Sequence, residues 1–362
     1  MRKRLLHSLC LPMAMTPVIA AAEVPSVAVD IPPVHSLVTR VMGDLGTPDL
    51  VMQAGASPHG YSMRSSEAKA LADADVVVFV SDELTPWLER ARGSLAADAR
   101  SLELMESPGT LHLEYREGAT FEAHHHGDDE HADHDEHAHE HEEDDHHDEH
   151  DHEAHAEDGH HDEHGDDEGH DEHGHDEHDE AGHEGHAHDG MDPHGWLDPV
   201  NAQAWLENIA DALAESDPEN AATYHQNARE GQQELGALTQ SLKARLQQAQ
   251  GTRFIVFHDA YQYFENRFGV PASGAISLGD ASSPSPARVR EIQQRVSEQN
   301  IQCVFREPQF NPALIDSVFE GTEVETSIVF EPLGVDLALG ETLYPQLITR
   351  LSEGVLRCAG ES

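Results

Sequence analysis

The feature that most constrains this chain is a tract at residues 124–189, composed entirely of His, Asp, Glu, Gly and Ala. The tract holds 23 of the 30 histidines and 30 of the 70 acidic residues, and it contains no Lys or Arg. Such a segment cannot bury enough apolar surface to offset the entropy of ordering, so we expect it to be disordered without metal. Imidazole and carboxylate both bind metals, and imidazole favours zinc, copper and nickel. The tract therefore predicts metal binding rather than only a solvating acidic linker.

The charge of the rest of the chain excludes one class of partner. The net charge is −49 for the whole chain, and −19 remains when the tract is left out. This remainder is acidic and has no basic stripe, so we expect no nucleic-acid partner. About 300 residues remain outside the tract, which is enough for two ordinary domains with a full core.

The first 22 residues have the pattern of a cleaved signal peptide. Three basic residues at positions 2–4 precede a mostly apolar stretch at 5–19, and small residues at 20–22 supply a cleavage site. The alternative is a membrane anchor, but the apolar stretch is short and is broken by His7, Pro12 and Pro17. We therefore expect an exported, soluble mature protein that begins near residue 23.

The mature chain has only two cysteines, Cys303 and Cys358, so only one pairing is open to it. An oxidising compartment favours a disulfide between them. A cysteine-based metal site is the alternative, but the two residues lack the close spacing that such sites show. We interpret the pair as structural.

The order of elements predicts an α/β fold of two lobes. Short β-branched runs such as 76–80 alternate with helical patterns in both halves, which indicates parallel sheets flanked by helices. Apolar residues at spacings of three and four predict one long, rigid linking helix at 218–251, with a stripe made of Tyr224, Ala228, Gly231, Leu235, Leu238, Leu242 and Leu246. The predicted organisation is an N-terminal lobe at 23–217 containing the tract, this helix, and a C-terminal lobe at 252–362 that includes a strand at 325–330. Ligands of such folds bind at the carboxyl ends of strands, so a cleft between the lobes is expected.

Three histidines outside the tract stand where such a cleft would place ligands. His59 follows a predicted strand, His194 lies in a turn between two prolines, and His258 ends the apolar run at 254–257. Each alone is a weak signal, because a histidine at a strand end is commonly a hydrogen-bonded surface residue. A tetrahedral zinc site needs three or four such ligands from separate loops. The other three histidines of the mature chain, His35, His112 and His225, lack this setting.

The segments around these histidines carry a specific resemblance. They read PHGY at 58–61, DPHGWLDP at 192–199 and FHDAYQYF at 257–264, and they are followed by EPQF at 307–310 and EPLG at 331–334. In this order the five segments resemble the metal-binding solute receptors of ABC importers, in particular the zinc-specific ZnuA group. A His- and acid-rich loop just before the second motif is similar to that group as well. The resemblance covers essentially the whole mature chain.

The resemblance implies two α/β lobes bridged by a rigid helix, with Zn²⁺ bound between them by His59, His194 and His258. Manganese-specific relatives typically place a carboxylate where this chain has His258, so the imidazole favours zinc. Glu331 stands at the position of the family's usual Asp and is a candidate fourth ligand, with water as the alternative. Pro58 stands where some zinc relatives carry a Glu ligand. The resemblance also places a disulfide at Cys303 and Cys358.

The main hypothesis is therefore a monomeric periplasmic zinc receptor, not an enzyme, that delivers Zn²⁺ to an inner-membrane ABC permease. The tract is then an accessory zinc collector or sensor, and a periplasmic zinc chaperone is a further expected partner. One alternative is a secreted zinc hydrolase, although the chain has no His-Glu-x-x-His pair. The other is a pure metal buffer in which the folded part merely carries the tract.

Overall fold

The computed structural model describes residues 24–53, 55–116, 190–277, 284–310, 312–320, 324–325 and 328–360. The predicted signal peptide at 1–22 and the predicted disordered loop at 124–189 lie outside these residues. No helix among the described residues combines the length and the apolar character needed to cross a membrane. The described residues all belong to one compact unit, so the predicted boundaries of the linking helix and the two lobes stay a prediction.

The first half of the chain builds a parallel sheet. Its elements are β1 (Val27–Val29), α1 (Pro32–Met42), β2 (Asp49–Leu50), α2 (Ser65–Ala72), β3 (Val76–Phe79), α3 (Pro86–Leu95) and β4 (Arg100–Glu103). The strand order is β2-β1-β3-β4, and all neighbours are parallel. Every residue of β1 and β3 is buried, as expected for central strands. The sequence did not predict α3 or β4, because β4 is partly exposed and lacks the apolar run that marks its neighbours.

The second half repeats this arrangement. Its elements are α4 (Pro199–Ser216), α5 (Ala221–Leu246), β5 (Phe254–His258), α6 (Gln262–Phe268), β6 (Gly274–Ser277), α7 (Pro286–Gln299), β7 (Cys303–Phe305), α8 (Pro312–Phe319) and α9 (Leu343–Cys358). The strand order is β6-β5-β7, again all parallel. The predicted α/β class with helix-flanked parallel sheets is confirmed.

Two predicted elements differ from the structure. The described part of 325–330 pairs only through isolated bridges, Glu325 with Cys303 and Val329 with Arg306, so the predicted strand is not formed there. The linking helix was predicted from 218, but α5 begins at Ala221. The reason is that the buried Asp217 accepts hydrogen bonds from the side chains of Asn220 (2.7 Å) and Tyr224 (2.9 Å), which holds residues 217–220 in a turn.

A single apolar core joins the two sheets. The same cluster of buried side chains includes residues of β1 and β3, the inner face of α5, strand β5 and helix α9. Polar contacts cross the same region: the Tyr344 hydroxyl donates to the Trp196 carbonyl (2.7 Å), and the Tyr344 N–H donates to Ser36 Oγ (3.0 Å). Helix α9 is thereby attached to α1 and to the turn that follows residue 194.

The disulfide between Cys303 and Cys358 joins the first residue of β7 to the last residue of α9 across 55 positions of sequence. Cross-linking a loop of this length restricts the unfolded chain, and we expect replacement of both cysteines by Ser to lower the free energy of unfolding by about 4 kcal/mol. Urea unfolding of the two proteins measures this difference. Dithiothreitol should destabilise the natural protein and leave the double-serine variant unaffected; equal sensitivity of both would contradict the prediction.

Candidate metal centre

His59 lies in the loop between β2 and α2, and two contacts fix that loop. The Trp87 indole N–H donates to the carbonyl of Pro58 (2.8 Å), which ties the residue before the histidine to helix α3. The Tyr61 hydroxyl donates to the Glu67 carboxylate (2.8 Å) at the start of α2 and accepts from the Gln53 N–H (3.2 Å). His59 is therefore held from both sides while its ring stays only half-buried.

His194 is completely buried at the start of a short 3-10 turn, Gly195–Leu197. The Asp192 carboxylate lies 2.6 Å from His194 Nδ1 and also accepts the His194 backbone N–H (3.0 Å). The turn is anchored by the Trp196 indole N–H, which donates to the Pro332 carbonyl (2.8 Å). A Cβ at position 195 would lie 2.4 Å from the Met105 sulfur, so a larger residue there would force the Met105 side chain to shift.

His258 is the last residue of β5, the central strand of the second sheet. Its partner in the register of β6 is the buried Ser277. On the β7 side, Glu307 Oε2 lies 3.6 Å from His258 Nδ1. This histidine is buried at the carboxyl edge of a parallel sheet, which is where ligand-binding residues of such folds lie.

The structure brings these three predicted residues together. The ring centroids are 5.4 Å apart for His59 and His194, 5.3 Å for His59 and His258, and 5.0 Å for His194 and His258. One nitrogen from each ring lies within 4.8 Å of the others. Nitrogens bound to one tetrahedral zinc lie about 3.4 Å apart at the usual bond length of about 2.0–2.1 Å. A small inward movement of the rings is therefore enough to bind one ion.

The protonation of His194 suits a metal ligand. Burial, together with the nearby His258 and Arg116, lowers the pKa of His194 well below its usual 6.5, so the ring is neutral at pH 7. Its Nε2 is buried and has no hydrogen-bond partner within the described residues. A proton on Nδ1 facing Asp192 leaves the Nε2 lone pair free, and an orphaned buried nitrogen of this kind fits a bound metal ion.

Glu331, the predicted fourth ligand, is not brought to the histidines. Its Oε1 accepts from Gln309 Nε2 (2.7 Å) and the Leu333 N–H (2.9 Å), and its Oε2 accepts from the Val335 N–H (2.8 Å). These bonds turn the carboxylate into its own loop, and among the described residues Glu331 is absent from both the histidine cluster and the cavity lining. The cavity beside the histidines is instead lined by Glu307, Gln309 and Phe310, together with Trp196 and Leu333.

A buried ionic cluster behind the histidines was not predicted from the sequence. Arg116 donates to the carboxylates of Asp259 (3.1 Å) and Glu265 (2.6 Å), and both acids are nearly inaccessible to solvent. Asp259 follows His258 directly, so the cluster holds the backbone of that ligand. The only sequence signal was the acid next to the histidine; nothing in the spacing of Arg116 pointed to a partner 143 residues away.

The other histidines within the described residues lie outside the site, as predicted. The hydroxyl of Thr39 lies 3.3 Å from the ring of His35, and the ring of His112 lies 2.6 Å from the Met105 carbonyl. His225 lies beside Glu207 (3.4 Å) and Asp211 (3.9 Å), in a partly exposed group on α4 and α5.

Comparisons with known proteins point to one family. A family profile described as zinc-uptake complex component A, periplasmic (ZnuA), matches residues 27–354. The high-affinity zinc uptake system protein ZnuA of Paracoccus denitrificans is 45% identical over 341 residues, which cover 94% of each chain. The protein of the same name from Brucella abortus is 42% identical over 338 residues, covering 93% of this chain and 92% of the relative.

Solved structures show the same fold. A crystal structure of a ZnuA aligns with a TM-score of 0.64 at 20% identity, covering 93% of this chain and 98% of that one. A zinc-bound ZnuA that lacks its residues 138–173 aligns with a TM-score of 0.65 at 19% identity and the same coverage. At this level of identity the likeness establishes the fold alone.

Proposed function

The chain belongs to the ZnuA family of periplasmic zinc-uptake components, and on that premise we propose that it captures Zn²⁺ with His59, His194 and His258 and delivers the ion to a membrane permease. The observation that carries this assignment is the convergence of three imidazoles from three separate loops beside one cavity. Members of the family serve ABC zinc import systems, so a permease is the partner implied. We propose that the protein acts as a monomeric receptor and not as an enzyme.

Three neutral nitrogen ligands suit zinc and leave a fourth position that water can take. The three rings come from the loop after β2, from the turn before α4 and from the end of β5, so binding one ion ties together segments of both sheets. Apolar neighbours such as Trp196, Phe310 and Leu333 shield the ion from solvent. Such a site binds by closing around the ion and releases it when a partner separates the loops.

We propose that the tract at 124–189 is an accessory zinc collector or sensor with weaker sites, and that a periplasmic zinc chaperone is a further partner of the protein. The attachment points of the tract support a link to the cleft. Tyr115 donates its N–H to the Gly190 carbonyl (3.1 Å), and the Asp192 N–H donates to the Leu113 carbonyl (2.8 Å). The described chain resumes at Gly190, two residues before the Asp192 carboxylate that contacts His194.

The experiment that tests the function is a competitive zinc titration of the full chain beside a variant with His59, His194 and His258 all changed to Ala. We expect one tight site to disappear in the variant while weaker binding remains. The matched control changes His35, His112 and His225 to Ala, and it should keep the tight site. If the tight site survives loss of the cavity histidines, the protein is a metal buffer. Hydrolysis of ester or peptide substrates by the zinc-loaded protein would contradict the non-enzymatic role.

A further inference from the structure

Glu307 occupies a position beside His258 that the register of the second sheet determines. Strands β5 and β7 are parallel neighbours in which Val256 pairs with Phe305. Continuing this register by two residues places position 307 next to position 258, at the edge where both strands end. The measured separation of 3.6 Å between Glu307 Oε2 and His258 Nδ1 agrees with this placement.

The environment of Glu307 offers few donors for a buried carboxylate. The side chain is almost entirely buried, and its Oε1 has no hydrogen-bond partner within the described residues. The titratable groups that face it are His258, Tyr261 and Glu331. The Tyr261 hydroxyl donates to the Phe330 carbonyl (2.7 Å) and also interacts with the Glu307 carboxylate, whereas Glu331 repels that carboxylate. A buried carboxylate with an unsatisfied oxygen is costly, and the nearby imidazole is the group that can supply the further donor.

The opposite side of the site shows what such a carboxylate does. Asp192 lies 2.6 Å from His194 Nδ1 and thereby presents Nε2 of that ring to the cavity. Carboxylates that accept the second N–H of a metal-bound histidine fix its tautomer and orientation and raise its basicity as a ligand. Glu307 stands in the same relation to His258, but at 3.6 Å instead of 2.6 Å.

We propose that Glu307 is the positioning residue for His258: its carboxylate accepts the Nδ1 proton of His258 when zinc is bound, as Asp192 does for His194. This proposal rests on the function proposed above. The two histidines then differ. Asp192 is within hydrogen-bond distance of His194 before zinc binds, whereas Glu307 comes within hydrogen-bond distance of His258 only when zinc binds. In this role Glu307 hydrogen-bonds a zinc ligand and does not itself bind the zinc ion.

Two substitutions in the full chain test the proposal. Glu307→Gln keeps an acceptor oxygen, whereas Glu307→Met keeps only the bulk. Zinc affinity is measured by chelator competition, with tryptophan fluorescence as the signal. The Trp196 ring lies 5.2 Å from His194, and the tract contains no Trp. We expect Met to weaken zinc binding by roughly 10–100-fold and Gln to restore part of that loss. Glu331→Gln, a neighbouring carboxylate that faces away from the histidines, is the matched control and should stay within about threefold.

Two spectroscopic readouts separate the possible roles. Zinc loading should produce a hydrogen-bonded imidazole N–H resonance in the proton NMR spectrum that is absent from both His258→Ala and Glu307→Met. The visible spectrum of the protein with one equivalent of Co²⁺ should keep its shape in Glu307→Gln, since the ligand set is unchanged. An altered cobalt spectrum would make Glu307 a ligand and overturn the positioning role. The positioning role is also overturned if Glu307→Gln and Glu307→Met lose equal zinc affinity, or if Glu307→Met loses none. If the natural protein has no tight zinc site that the His258→Ala substitution removes, the proposed function itself is overturned.

Discussion

Replacing His194 with Ala is expected to lower zinc affinity by roughly a hundredfold and to destabilise the metal-free protein at the same time. Structural zinc sites contribute about 10–16 kcal/mol over four ligands, so one ligand accounts for about 3 kcal/mol. His194 is also the partner of the buried Asp192, and its loss leaves that carboxylate without its nearest side-chain donor. We expect this loss to cost about 2 kcal/mol in the free energy of unfolding. Chelator competition measures the first effect, and urea unfolding without metal measures the second.

His59→Ala is the informative comparison for that experiment. This ring is only half-buried, so its removal should reduce zinc affinity by a similar factor while the metal-free stability changes by less than about 1 kcal/mol. The two variants together separate the binding role of an imidazole from its packing role. Equal destabilisation of the metal-free protein by both substitutions would contradict this account of Asp192. Unchanged zinc affinity in either variant would remove that residue from the site.

The zinc site illustrates what sequence alone can predict. His59, His194 and His258 were candidates because they lie at strand ends or in a proline-bounded turn, and the resemblance of the segments around them to the zinc-specific receptors made the prediction specific. The burial pattern of α5 was also predicted almost completely, from Tyr224 to Leu246. The exception is informative: Leu238 is partly exposed and Thr239 is buried instead, because the Thr239 hydroxyl donates to the Leu235 carbonyl (2.6 Å) and so satisfies itself within the helix.

The residues that were missed or misplaced depend on contacts between distant segments. Glu331 is a carboxylate at the expected place in the chain, but local backbone N–H groups turn it away from the histidines. Glu307 belongs to a recognised motif, yet its place beside His258 follows from the β5–β7 register, which spacing does not reveal. Strand β6 was missed because Gly274–Ser277 is short and contains little apolar character. Periodicity predicts which face of an element is buried, and it does not predict which buried polar groups meet.

Arg116→Met is expected to destabilise the protein by about 4 kcal/mol, which is the second large effect. The guanidinium bonds two nearly inaccessible carboxylates, Asp259 and Glu265, and replacing it with an apolar side chain of similar length removes the cation that hydrogen-bonds both. Removal of one partner from a buried ion pair typically costs 3–5 kcal/mol. Urea unfolding at pH 8 measures the loss. The exposed pair between Arg100 and Glu215 provides a matched control, and Arg100→Met should cost less than about 1 kcal/mol.

The pH dependence of the Arg116→Met variant identifies the cause of its instability. Burial already raises the pKa of Asp259 above its usual value, and Arg116 opposes that rise. Without Arg116 the folded-state pKa rises further above that of the unfolded chain, so the acid binds its proton more tightly in the folded state. The free energy of unfolding of the variant then falls as pH rises above the pKa of Asp in the unfolded chain, which is near 4. It recovers as pH falls back towards that value. Its deficit relative to the natural protein should therefore be smaller at pH 5 than at pH 8. A deficit independent of pH would mean that Arg116 stabilises the fold by packing, with its charge contributing little.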